Sequence, residues 1–354
     1  MGHELTRRSV LGGGLALSLS GAASLAREQT AAENGKLAFT GVNLAGAEFG
    51  KIPGRHATDY AYPTRALIEY YAQLGFNLIR VPFRWDRLQP RLGAALAGDE
   101  QAMLAAVVER ACANGQSVIL DPHNYARRRV EEDNWKAEHY IGTDLVPTAA
   151  FADFWGRLAE VFKGNPSVMF GLMNEPAGIA AEPWLTAANA AVRDIRQTGA
   201  SNLILVPGVA YTGAHSWISA GNTLMRGIVD PADNFAFEVH QYLDGNSSGT
   251  SATAVRASIG SERIQAFQEW ARENRFRALL GEFGAADNEI SLAALQNLCR
   301  TLEANSDVWI GWAAWAGGSW WPEDYMFNLN ASRDGQTKKQ TRILADYAQR
   351  VQRG

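Results

Sequence analysis

Two glutamates stand out by their surroundings. Glu175 sits in Asn174-Glu175-Pro176 and Glu282 in Gly281-Glu282-Phe283-Gly284, each just after a short apolar run. Other polar residues fall at the same kind of place. Arg80 lies in Leu78-Ile79-Arg80-Val81, His123-Asn124 follows Leu120-Asp121-Pro122, and His240 and Tyr242 follow Phe237-Glu238-Val239. Trp315 closes the last such run. A protonated carboxyl facing an ionised one can cleave an acetal. The first gives its proton to the departing oxygen, and the second attacks the anomeric carbon. With retained configuration the two carboxyls stand about 5–5.5 Å apart. Asn174 would donate to the adjacent sugar hydroxyl, and Trp315 would offer a flat apolar face to the ring. Tyr242 and Arg80 would hold Glu282 ionised, since a donor and a positive charge both lower a carboxyl pKa.

Each residue alone has a plainer reading. Asn-Glu-Pro can simply start a helix, a strand arginine can pair with a surface acid, and a histidine can bond within a core. Six polar groups at the same end of six apolar runs are harder to dismiss, because burying them without purpose is costly.

The elements that must position them form one rhythm. Apolar, β-rich runs recur at Leu37–Asn43, Asn77–Val81, Ser117–Asp121, Val168–Met173, Leu203–Val206, Phe235–His240, Ala278–Glu282 and Val308–Ala314. Between them, segments such as Pro63–Leu74, Ala102–Ala113, Thr148–Phe162, Trp184–Thr198, Ser261–Asn274 and Leu292–Ala304 repeat apolar residues at helical spacing. Pro63-Thr64 and Ser291 are suited to helix starts. Near-continuously apolar strands alternating with helices predict a parallel sheet covered on both faces. Eight such units predict a single-domain α/β fold, the (β/α)8 barrel, whose strand carboxyl ends share one rim. An open doubly wound sheet is the rival, but Gly41-Val42-Asn43-Leu44-Ala45-Gly46 lacks the spacing of a phosphate-binding turn.

Composition agrees. The chain of 354 residues is 47% hydrophobic and carries a formal charge of −4, which excludes a disordered or coiled-coil chain and favours neither nucleic acid nor an anionic membrane as partner. Thr6-Arg7-Arg8-Ser9-Val10-Leu11, a glycine-broken apolar run and small residues before Arg27-Glu28 predict a twin-arginine signal over residues 1–26. A short leader would span 27–36 and the catalytic domain 37–354, in a secreted or periplasmic monomer. Cys112 and Cys299 read as buried free thiols.

The ordered set Arg80, His123, Asn174-Glu175-Pro176, His240-Gln241-Tyr242, Glu282 and Trp315 resembles glycoside hydrolase family 5, a retaining clan of barrel glycosidases. Several stretches are similar to its subfamily 5 of endo-β-1,4-glucanases. These are Gly41–Gly50, Tyr211-Thr212-Gly213-Ala214-His215-Ser216-Trp217, His240–Asp244 and Trp312–Trp321. The resemblance implies Glu175 as acid/base and Glu282 as nucleophile. It also implies Arg80, His123, Asn174, His240, Tyr242 and Trp315 around the cleaved sugar, no cofactor, and a β-glucan as substrate.

Asn124, Trp320, Trp321 and Trp217 are further candidate substrate contacts, with Trp135 beside Trp217, whereas Trp309 and Trp312 read as core. The charged segment Arg127–Asp144 departs from the family pattern and is expected to loop over the cleft. Mannan, xyloglucan or mixed-linkage glucan are alternative substrates. A non-catalytic sugar-binding barrel would not need both glutamates. A metal-dependent hydrolase would want more than His123 and His240 as ligands.

Overall fold

The computed structural model describes residues 35–352. The strands, in chain order, are β1 (Phe39–Leu44), β2 (Leu78–Phe83), β3 (Ser117–Pro122), β4 (Arg127–Arg129), β5 (Glu138–Tyr140), β6 (Val168–Gly171), β7 (Ile204–Pro207), β8 (Phe235–His240), β9 (Ala278–Glu282) and β10 (Trp309–Gly317). All but β4 and β5 pair in parallel and close into a barrel ordered β1-β10-β9-β8-β7-β6-β3-β2. The (β/α)8 expectation holds. The expected signal, residues 1–26, and most of the leader lie outside the described residues.

Strand alternation explains where the site sits. Successive side chains point to opposite faces, so one phase fills the barrel and the other meets the helices. Phe39, Leu78, Ile119, Met169, Ala236 and Leu279 belong to a buried plug inside the barrel. Two residues further along, the inward position changes character to Gly41, Arg80, Asp121, Gly171, Glu238 and Gly281. A charged layer thus lies on an apolar floor. Gly171 and Gly281 clear space for Glu238. A Cβ on Gly281 would stand 2.2 Å from Glu238 Oε1, and one on Gly171 would stand 3.4 Å from Oε2.

The outward phase packs on helices 65–73, 98–113, 148–162, 181–197, 259–273 and 289–304, with Trp155, Trp184, Trp309 and Trp312 fully buried between the layers. Thr64 caps the first helix, accepting from the Leu67 amide at 3.3 Å. Ser291 does not cap the helix it was expected to start. Asn288 does, accepting from the Ser291 amide, and Ser291 lies in the first turn. The rhythm breaks between β7 and β8, where 3-10 turns at Ala214–Ser216 and Asn222–Gly227 replace a helix. A final helix, Lys339–Gln352, packs near the start of the barrel. Both thiols are free; Cys299 is buried and Cys112 is half-buried.

Candidate active site

Arg80, fully buried on β2, organises the site. Its Nη1 stands 2.9 Å from Glu282 Oε1, 2.9 Å from Asn43 Oδ1 and 3.0 Å from Asp121 Oδ2, while its Nε lies 2.8 Å from Glu238 Oε1. Burial opposes the charge, but Asp121, Glu238 and Glu282 together hold the guanidinium firmly protonated. Arg80 Nη2 also donates to Asn174 Oδ1 at 2.9 Å. That contact turns the Asn174 amide nitrogen toward His123 Nε2, 3.1 Å away. Nε2 therefore accepts, and the ring proton sits on Nδ1, 2.8 Å from Asp121 Oδ2. The second N–H of Asn174 remains for a ligand.

The two glutamates meet across the mouth. One oxygen of Glu175, one of Glu282 and a His240 ring nitrogen all lie within 4.8 Å of one another, which suits a retaining pair. Tyr242 donates to Glu282 Oε2 at 2.9 Å, so both Glu282 oxygens face donors. Glu175 Oε1 faces His240 Nδ1 at 2.7 Å. Burial pushes the Glu282 carboxyl above its ordinary value, with His240 and then Arg80 pulling it back. The expected net lowering by Arg80 and Tyr242 is therefore not found, because burial outweighs it. On His240 the balance tips the other way. Burial disfavours the charged ring, yet Glu282, Glu175 and Glu238 push its pKa up to about 10.

Aromatic rings wall the opening. Trp315 stacks on His123 with centroids 5.7 Å apart and donates from Nε1 to Tyr325. Trp321 lies on Tyr325 at 4.1 Å and meets Trp315 edge-on, while Trp320 is 39% exposed beside them. A cavity of 480 Å³ opens on the other side of Glu175, lined by Tyr125, Tyr211, Gly213, His215 and Ser248 among others. The backbone there is tightly held. Tyr125, Glu175, Ala210, Tyr211 and Ser247 all line it with positive φ, from 41° to 61°.

Two expected contacts lie elsewhere. Trp217 is fully buried behind the barrel wall against Phe237, Phe267 and Trp270. Asn124 points away from its neighbour His123. Its Oδ1 accepts from the Trp85 amide at 2.8 Å, and its nitrogen faces Asp86. Residues 127–144 include an antiparallel ribbon, β4 on β5, fastened by Arg127–Glu138 and His139–Asp133 pairs rather than a free loop. Trp135, half-buried, sits in its exposed turn, where its carbonyl accepts from Arg129.

Sequence reasoning missed Asn43, Asp121, Glu238 and the cavity residues Tyr125, Tyr211 and His215. It also missed Glu48, buried with Oε2 accepting from the Gly46 amide at 2.7 Å and Oε1 without a partner. Glu175, His240 and Glu282 are a set that could surround a metal ion. The fit is poor, because Arg80 already stands on Glu282 and a charged His240 offers no lone pair.

A closed (β/α)8 barrel with two facing carboxyls and an aromatic-walled mouth defines the glycosidase class of barrel hydrolases. The family model "Cellulase (glycosyl hydrolase family 5)" matches residues 33–318, and the chain belongs to that family. Endo-beta-1,4-glucanase A of Emericella nidulans is 38% identical over 321 residues, covering 90% of this chain and 94% of its own. A triple-mutant endo-beta-1,4-glucanase from Xanthomonas axonopodis pv. citri is 46% identical, with a TM-score of 0.84 over 88% of this chain and 99% of its own. XacCel5A in complex with cellopentaose is also 46% identical, with a TM-score of 0.83 over 87% and 98% of the two chains.

Proposed function

We propose that this protein is an endo-β-1,4-glucanase that cleaves internal bonds of cellulose or soluble β-glucan by double displacement. The observation that carries the reading is the approach of Glu175 and Glu282 within 4.8 Å, each with a different set of partners. Glu282, with Arg80 and Tyr242 on its two oxygens, is the nucleophile. Glu175, on His240 alone and bordering the open cavity, is the acid/base. In the first step Glu175 protonates the glycosidic oxygen while Glu282 bonds to the anomeric carbon. In the second, Glu175 takes a proton from water, which displaces Glu282 with overall retention. The free Asn174 N–H bonds the 2-hydroxyl as charge develops, and Trp315 supports the ring.

The relative holding cellopentaose supports a β-1,4-glucan chain as substrate. Export through the paired arginines and a monomeric state complete the reading. The described residues contain no helix long and apolar enough to cross a membrane.

The test is a panel of carboxymethylcellulose, lichenan, mannan, xylan and xyloglucan with product sizing, alongside NMR of the first anomer released from cello-oligosaccharides. Internal cleavage of β-1,4-glucan with β-anomer first is expected. Preferential hydrolysis of mannan or xyloglucan would overturn the substrate, and α-anomer first would overturn the two-step mechanism.

A further inference from the structure

Arg80 is bound to two carboxylates that the reaction itself does not use, and each also reaches a histidine. Asp121 Oδ2 lies 3.0 Å from Arg80 Nη1 and 2.8 Å from His123 Nδ1. Glu238 Oε1 lies 2.8 Å from Arg80 Nε and 3.4 Å from His240 Nε2. The arms look alike but serve rings in different states. His123 receives a hydrogen bond from Asn174 on its other nitrogen and so carries a single proton. His240 has acids on both sides. Glu175 stands 2.7 Å and Glu282 3.6 Å from Nδ1, with Glu238 beyond Nε2.

Space has been made for Glu238. It is 1% exposed, and the inward position on the adjacent strand β9 is Gly281, where a Cβ would run into its carboxyl, while Gly171 on β6, across β7, leaves its other side open. A carboxylate buried this deeply is retained only if its charge is used or matched.

We propose that Glu238 is the positioning residue of the acid/base. It holds His240 at Nε2 and pairs with the Arg80 guanidinium at once, so that His240 presents Nδ1 to Glu175. The proton destined for the leaving oxygen is then shared along one hydrogen bond. When Glu175 gives it up, the pair Glu175–His240 loses one proton, and the second step restores it from water. Holding the far nitrogen of the ring protonated fixes which nitrogen trades with Glu175, as a buried acid does for other catalytic histidines. Every charged group facing the ring is accounted for: Glu175 after β6, Glu282 on β9, Glu238 on β8 itself, and Arg80 on β2 through both acids.

This inference rests on Glu175 being the acid/base, but its test reads His240 directly. The full enzyme, labelled with ¹³C/¹⁵N-histidine, is titrated by NMR, with the His240 signals assigned by their loss in His240→Gln. The wild-type ring should stay charged to about pH 10. Glu238→Gln should lower that midpoint by at least about one unit. It should also cut kcat on cello-oligosaccharides about 10- to 100-fold, with KM changed less than about threefold. Asp121→Asn removes a charge of equal burial from Arg80 without touching His240, and should move the midpoint less than half as far.

A wild-type midpoint below pH 8 would overturn the proposal. So would an unmoved midpoint in Glu238→Gln, or an equal shift in Asp121→Asn. If Glu238→Gln does not fold, the wild-type titration and Glu238→Asp decide, the latter keeping the midpoint while losing kcat. Failure of the substrate panel would strike the proposed function and leave this titration readable.

Discussion

Glu48 gives the sharpest quantitative forecast. The residue is 8% exposed, with one carboxyl oxygen on the Gly46 amide and the other buried and unpartnered. Burial raises its pKa from 4.5 to about 7, against the pull of backbone amides and with Asp121 reinforcing the rise. The folded state therefore holds this proton more tightly than the unfolded chain. Stability is fullest below pH 4.5, declines as the unfolded carboxyl ionises, and levels off above about pH 7. Between pH 5 and pH 8 those two values imply a loss of about 2–3 kcal/mol from this one group.

Glu48→Gln keeps the shape and cannot titrate. Measured by urea unfolding at both pH values, the variant should gain about 2–3 kcal/mol on the wild type between pH 5 and pH 8. With a slope of about 3 kcal/mol per molar urea, the gap between midpoints should change by about 1 M. The fixed effect of the substitution cancels, because only the change in gap is read. Midpoints that keep a constant separation would refute the reasoning, since Glu48 would then ionise alike in both states.

Other substitutions separate roles that the geometry assigns. Glu175→Ala should cripple substrates with poor leaving groups far more than activated aryl glycosides, with azide restoring the latter; equal losses on both would contradict the acid/base role. Glu282→Gln should abolish hydrolysis and labelling by a 2-deoxy-2-fluoro glycoside. Tyr242→Phe removes one of two donors to Glu282 and should lower kcat at least about tenfold with KM little changed. Trp217→Ala should cost about 3–5 kcal/mol in unfolding experiments, whereas Trp320→Ala should raise KM and leave stability nearly untouched.

Much of the site was legible because its residues are conspicuous where strands end. His123, Glu175, His240, Tyr242 and Glu282 fall at or just past strand ends, which a barrel brings to one rim, and Arg80, inside β2, is the one arginine in an apolar run. Asp121 and Glu238 were hidden for the opposite reason. They lie within strands, where an acid can face outward, and only the phase set by Ile119 and Ala236 turns them inward. Asn124 misled because neighbours in sequence can face opposite ways. Trp217 misled because an indole in a loop carries no mark of whether it lies open or packs behind the wall. The missing helix between β7 and β8 followed from Gly208, Gly213 and Gly221, which punctuate that connection. The last helix, Lys339–Gln352, was not read from the sequence, although Leu344, Tyr347, Ala348 and Val351 carry helical spacing.

The left-handed residues around the 480 Å³ cavity have a consequence for heat. Each non-glycine residue there sits against its preference by about 1–2 kcal/mol. It is kept there by links such as Tyr125 N–H to Asn174 O at 3.1 Å and Tyr211 N–H to Pro176 O at 3.2 Å. Warming should release these links before the strands part, so the enzyme should fall silent several degrees below the temperature at which circular dichroism records the barrel melting. The loops that make the mouth a ready mould would then also act as its fuse.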